Sequence, residues 1–197
     1  YHVNIFDNYG NKLIYGENSF ESYLNTTDYE IDLSKVDMSK PGTYPVTVIY
    51  DPPSIPASTS TLTAQEALLS KIANTIDRIL YNKTEGDILI FLPGEKAIKD
   101  CINKLYSSPF SRKIHIIPLY GRLPKEDQEK VFSNAPFGRK KVIISTNIAE
   151  TSVTIDGITS VIDSGLAKLN FYSPRTFTSS LIETPISKAS CNQRRGR

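Results

Sequence analysis

The sequence is poor in cysteine and has no long apolar run. Its 197 residues include two cysteines, Cys101 and Cys191, far apart and without metal-type spacing. Two thiols cannot make a disulfide framework, and a structural zinc site needs more ligands. Both are therefore read as plain reduced thiols, and no metal is assigned. The longest apolar stretches, such as Ile88–Leu92 and Val142–Ile144, fall far short of the roughly 20 residues of a membrane helix. The N-terminus shows no basic stretch followed by an apolar core, so no signal peptide is read and no membrane partner is expected. A GxxxxGK[ST] phosphate loop is missing too. What remains, 39% hydrophobic and 22% charged residues, is ordinary globular composition and excludes a disordered or fibrous chain.

The formal net charge of +2 conceals a split. Residues 1–60 carry three lysines against eight carboxylates, a balance of −5, whereas residues 61–197 carry 20 Lys and Arg against 13 Asp and Glu, a balance of +7. Such asymmetry suggests two segments with different partners. The basic segment suits phosphate; the acidic one does not.

The first fifty residues read as β. The runs His2–Phe6, Lys12–Tyr15, Tyr29–Leu33 and Tyr44–Tyr50 are short and punctuated by Asn, Gly, Asp and Pro, and seven of the eleven tyrosines fall within residues 1–51. That composition suits pleated, half-buried strands. Residues 51–63, DPPSIPASTSTLT, read as an extended linker. From Ala64 the pattern turns helical: Leu68, Leu69, Ile72, Ile76, Ile79 and Leu80 predict an amphipathic helix over 64–82. The run Asp87–Leu92 (DILIFL) has the continuous apolarity of a strand buried on both faces. Lys96–Tyr106 reads as a helix, Ile114–Leu119 as a strand, and Pro124–Phe132 as a helix with proline in its first turn. Lys141–Ser145 and Ile158–Asp163 read as strands. Strands and helices taking turns over about 100 residues predict an α/β fold with a parallel sheet. Lys168–Tyr172 and Ser179–Thr184, bracketing Ser173–Pro174–Arg175–Thr176, predict a hairpin.

Ligands of parallel sheets gather beyond the C-terminal strand ends. Three segments are candidates there: Pro93–Gly94–Glu95, the hydroxyl-rich stretch Ser145–Thr154 (STNIAETSVT), and Gln193–Arg197 (QRRGR). Hydroxyls and free backbone N–H groups at a strand end can hold phosphate or sugar; the same residue types also cap helices. The three arginines offer planar, permanently charged forks suited to phosphate oxygens. A solvated charge run is the plainer alternative, although Gln193 and Gly196 interrupt it, and glycine suits close backbone approach.

STNIAETSVTIDGI, then VIDSG, YSPRT and ISKASCNQRRGR, resemble motifs V to VI of DEAH-box helicases, superfamily 2 ATPases that move along RNA. The resemblance covers about residues 42–197. GTYPVTVIYDPP is similar to the segment crossing between the two RecA-like domains of that family. DILIFLPGEKAI resembles the first strand and hook loop of its second RecA-like domain, and LYGRLPKEDQEKVF the next block. Glu95, where many members carry glutamine, is closer to the bacterial HrpA-type branch. The resemblance implies a RecA-like parallel sheet flanked by helices and an ATP-dependent RNA helicase, hence an NTP hydrolase. It implies catalytic roles for Arg197, which reaches the γ-phosphate, for Gln193, which faces that phosphate and the attacking water, and for Arg194 beside it, where a structural role is the alternative. It implies that Ser152 and Asp156 meet the nucleotide, Asp156 at its ribose. It implies that Thr146, Asn147, Pro93 and Gly94 meet the RNA backbone, and that the hairpin over Lys168–Thr184 helps to separate strands. The implied cofactors are ATP and Mg2+, the metal held by the first RecA-like domain, which supplies the phosphate loop and the DEAH sequence missing here. The implied partners are single-stranded RNA and that first domain, in the cytoplasm. The chain is expected to break off within motif VI.

YEIDLSKVDMSKPGTYPVTVIYD, in contrast, resembles the last strands of bacterial Ig-like repeats. The organisation expected is therefore a β-rich segment over 1–50, partly Ig-like, a linker over 51–63, and the second RecA-like domain over 64–197. A native insertion or a junction between unrelated segments would also explain residues 1–41. Two other functions remain: a bacterial surface protein with an Ig-like module and no catalysis, and a generic α/β phosphate-binding domain.

Overall fold

The computed structural model describes residues 5–6, 12–13, 49, 51–53, 60–151, 153–173 and 178–197. Two short strands, β1 (Ile5–Phe6) and β2 (Lys12–Leu13), pair antiparallel with Ile5 opposite Leu13. The strands expected at 29–33 and 44–50, apart from Ile49, lie outside the described residues, and with them most of the stretch that resembles Ig-like repeats.

Helix α1 (Thr61–Tyr81) begins three residues before the expected Ala64. Ser60 explains the earlier start: its hydroxyl accepts from the Thr63 N–H at 3.3 Å, an N-cap of the kind worth about 1 kcal/mol. Leu69, Ile72, Ala73 and Ile76 form its buried stripe. The chain continues through β3 (Asp87–Phe91), α2 (Glu95–Tyr106), a 3-10 turn at Ser111–Lys113 and β4 (Ile114–Leu119). The helix expected over 124–132 is shorter and divided. Helix α3 spans Lys125–Glu129, with Pro124 just outside it as N-cap, and gives way to a 3-10 turn at Lys130–Phe132. Tightening to i+3 bonds is a common end for a short helix; here it turns Val131 fully into the core. Then follow β5 (Lys140–Ser145), α4 (Ile148–Thr151), β6 (Ile158–Asp163), β7 (Leu166–Ser173), β8 (Thr178–Pro185) and α5 (Lys188–Arg195).

Strands β3 to β6 form one parallel sheet in the order β4-β5-β3-β6. The register sets Ile90 beside Ile144 on one side and Ile162 on the other. Pro118 falls on the edge strand β4, where a missing donor is tolerated. The period-two alternation of each strand divides the core in two. Ile88, Ile90, Val142, Ile144, Ile114 and Ile116 pack with Ile72 and Ile76 of α1 and Ile98 and Leu105 of α2. Leu89, Phe91, Ile117, Leu119 and Ile143 pack on the other face with Val131 and Ala149. Each such side chain fully buried contributes about 1.5–3 kcal/mol. Both faces of the central strands β3 and β5 are covered, which is why these two read as apolar runs.

Outside this sheet, β7 and β8 form an antiparallel ribbon with Leu169 opposite Ile182. The expected hairpin is present with strands longer than read, while its tip, residues 174–177, lies outside the described residues.

Candidate functional site

The C-terminal ends of the strands meet on one rim of the sheet. Leu92 N–H bonds the Ser145 carbonyl at 2.9 Å, Ser164 N–H the Phe91 carbonyl at 3.2 Å, and Thr146 N–H the Leu119 carbonyl at 3.2 Å. These bonds carry the sheet pairing one residue past each strand and bring three of its exit loops together. From the β5 exit the chain winds directly into α4, with Glu150 N–H on the Asn147 carbonyl at 3.0 Å. Helix α5 is capped by Ser187, whose hydroxyl accepts from Ser190 N–H at 3.1 Å, and it delivers residues 193–197 to this rim.

Arg194 is the centre of the arrangement. It is 1% exposed. Its Nε donates to Glu150 Oε1 at 2.7 Å, and its Nη1 donates to Asp163 Oδ1 at 2.6 Å and to the Leu166 carbonyl at 3.3 Å. The guanidinium stands over the Phe91 ring, 4.8 Å from its centroid. Its Nη2 is buried with no hydrogen-bond partner. A buried arginine requires counter-charge, and here two carboxylates supply it from two different strand exits. Of the two roles weighed for Arg194, catalytic or structural, this geometry favours the structural one: its charge is paired inside the protein.

Arg197 differs. It is half-buried, and its Nη1 and Nη2 donate to the main-chain carbonyls of Val153 and Glu150. Carbonyls orient a guanidinium without neutralising it, so the full positive charge remains available to an anion. Gln193, one helical turn earlier, is exposed. Gly196 has φ −86°, and a Cβ there would approach no atom closer than 3.5 Å. Within this chain, therefore, no neighbouring atom requires glycine here.

Among the residues expected to meet RNA, Thr146 is half-buried and Asn147 exposed, both at the β5 exit. Pro93 and Gly94 are buried. A Cβ on Gly94 would lie 3.1 Å from Cδ of Lys168, so the side chain of exposed Lys168 in β7 lies over the loop expected to touch the backbone. In this conformation the cation, not the loop, faces solvent. Asp156 is exposed in the turn before β6, and Ser152 lies outside the described residues.

Sequence reading missed the pairing of Arg194 with Glu150 and Asp163. A signal existed: both carboxylates stand at strand exits, where an arginine-rich helix arrives. Burial pushes the Cys101 thiol up to about 12 and also raises that of half-buried Cys191. Among the described residues, no group of three His, Cys, Asp or Glu could hold a metal ion, and no helix is long and apolar enough to cross a membrane.

The family profile "Helicase conserved C-terminal domain" matches residues 70–197. The ATP-dependent RNA helicase HrpA of Borreliella burgdorferi is 47% identical over 155 residues, which are 79% of this chain and 18% of that protein. Among solved structures, the E. coli DExH-box NTPase HrpB aligns with a TM-score of 0.58 at 35% identity, over 72% of this chain and 16% of its own. A second structure of E. coli HrpB, described as a DEAH/RHA helicase, aligns with the same score and identity over 72% of this chain and 17% of its own. The chain thus spans less than a fifth of the length of each of these relatives. Its parallel sheet, its strand-exit residues and these matches agree: the chain belongs to the helicase conserved C-terminal domain family, as the C-terminal RecA-like domain of a DEAH-box helicase of the HrpA and HrpB kind.

Proposed function

We propose that this domain is one half of an interdomain ATP site in a cytoplasmic, ATP-dependent RNA helicase, and that it supplies Arg197 and Gln193 to that site. The observation that carries this reading is the contrast between the two arginines. Arg194 is neutralised by Glu150 and Asp163, whereas Arg197 is held only by carbonyls and keeps its charge. An arginine of this kind stabilises charge on a transferring phosphoryl group. Gln193 lies exposed one turn away, in reach of the same ligand, and Asp156 offers an exposed acceptor for ribose hydroxyls. This donor set fits the phosphate and sugar of ATP. Mg2+ is assigned to a first RecA-like domain with a phosphate loop and a DEAH sequence, and this chain by itself is inactive.

Thr146 and Asn147 are the proposed contacts to the sugar–phosphate backbone of single-stranded RNA, a mode that reads no base. Lys168 is the natural phosphate partner beside the hook loop at Pro93–Gly94, and the β7–β8 ribbon is the proposed strand-separating hairpin. The domain is proposed to begin at Thr61, where α1 starts, and to include the residues up to 197.

The test is an Arg197→Ala substitution in the complete helicase. ATP binding should persist, while RNA-stimulated hydrolysis falls on the order of 10³-fold, as for other arginines that reach a γ-phosphate. Turnover within about threefold of wild type, a difference of less than about 1 kcal/mol in barrier, would remove Arg197 from the site.

A further inference from the structure

Glu150 holds both arginines at once. Its carboxylate accepts from Arg194 Nε at 2.7 Å, and its main-chain carbonyl accepts from Arg197 Nη2. Its side chain is 10% exposed, so the carboxylate has little freedom to take another partner. Asp163 holds the other arm of Arg194, and the Val153 carbonyl takes the other nitrogen of Arg197. Helix α4, which carries Glu150, is thereby tied to α5 at two points: a charge-assisted side-chain bond that sets the position of the helix, and a main-chain bond that sets the direction of Arg197.

We infer that Glu150 is a positioning residue for Arg197. It does not touch the nucleotide. It fixes α5 through Arg194 and presents a carbonyl at the place where the guanidinium of Arg197 must rest before a phosphate arrives. This inference rests on the proposed role of Arg197 and adds a residue to which no role in that site has been given. The physical requirement is tight. A charged group aimed at a reacting centre loses on the order of 10²-fold in rate when displaced by about 1 Å. Without the Glu150 carboxylate, Arg194 keeps Asp163 alone and α4 is released from α5 on that side.

The experiment is a double-mutant cycle in the complete helicase, read as RNA-stimulated ATP turnover at saturating ATP and RNA. Arg197→Ala and Glu150→Ala are measured singly and together. Glu150→Ala should lower kcat on the order of 10²-fold and leave KM for ATP within about threefold. In the Arg197→Ala background it should have no further effect beyond about twofold, because the group it positions is gone. Glu150→Gln retains an oxygen that can accept from Arg194 Nε, so it should recover at least part of the loss. Should Glu150→Ala fail to fold, Glu150→Gln takes its place in the cycle, with a smaller loss that must likewise vanish when Arg197 is absent. Multiplicative losses in the double variant would overturn the inference and make Glu150 a contributor independent of Arg197. If Arg197→Ala alone leaves turnover intact, the proposed role of Arg197 fails first and the positioning role falls with it; the single variant separates the two failures.

Discussion

Replacing Arg194 by alanine should destabilise this chain more than any other arginine substitution on the same helix. The side chain is 1% exposed, and its two carboxylate partners, Glu150 and Asp163, have side chains 10% and 23% exposed. Deleting the cation leaves Glu150 with little solvent and no counter-charge, and leaves Asp163, which is partly solvated, without its ion pair. Breaking a buried pair in this way costs about 3–5 kcal/mol. Loss of the guanidinium over the Phe91 ring adds about 0.5–2 kcal/mol. A domain of ordinary stability has only about 5–15 kcal/mol in total, so the variant should be near the limit of folding. Urea unfolding is the assay. The chain contains no tryptophan, so far-UV circular dichroism is the better probe. With a slope of about 2 kcal/mol/M, the midpoint should fall by roughly 2 M. Arg197→Ala is the internal control. It removes hydrogen bonds to two carbonyls at a half-buried site and should cost only about 1 kcal/mol. If Arg194→Ala unfolds within about 1 kcal/mol of the parent, or if Arg197→Ala costs as much, the assignment of Arg194 to structure and Arg197 to chemistry is refuted.

Two further outcomes test the fold. Gly86 has φ +73°, and a Cβ there would run into Thr159 Cγ2 and stand 2.8 Å from the Gly157 carbonyl. Gly86→Ala should therefore cost about 2–4 kcal/mol by chemical denaturation, whereas Gly121→Ala, with no atom within 4 Å, should change stability by less than about 0.5 kcal/mol. Burial raises Cys101 from an ordinary 9.0 to about 12, so the native state holds its proton where the unfolded chain has lost it. That contribution to stability is complete below pH 9 and is lost as pH climbs toward 12; a rise in urea midpoint over that range, or alkylation of Cys101 in the native protein at pH 8 as fast as in the unfolded one, would contradict its burial.

The sheet was legible in the sequence chiefly because its central strands β3 and β5 are buried on both faces, whereas the edge strand β6 is mostly half-buried. Ile114–Leu119 and Ile158–Asp163 are found with the expected bounds, and DILIFL loses only Leu92. Continuous apolarity is a strong signal where no face is solvated. Element ends were less legible. The start of α1 was set by one hydroxyl at Ser60, and the division after Glu129 by the burial of Val131, a tertiary effect that local periodicity does not carry. The site was half legible. Its segments could be placed by strand ends and by resemblance, but the partners of Arg194 lie 44 and 31 residues away. Nothing in a run of arginines tells which is buried until those partners are known.

The cluster Gln193–Arg197 shows how helix geometry divides one basic run into opposite tasks. At about 100° per residue, Arg194 is turned well away from Gln193 within α5, whereas Arg197 lies two residues beyond the end of that helix. Gln193 is exposed, Arg197 is half-buried and Arg194 is buried. The acceptors then decide the chemistry. Facing inward, Arg194 meets two carboxylates and a carbonyl; facing the rim, Arg197 meets carbonyls alone. Arg194 also serves the ligand indirectly. Glu150 and Asp163 are two negative charges at the strand exits where a polyphosphate is proposed to bind, and unpaired they would repel it across a poorly screening interior. A positive charge confined between them removes that repulsion without being consumed by the ligand. The buried arginine and the available one are thus parts of one electrostatic arrangement, in which the first must be neutralised for the second to act.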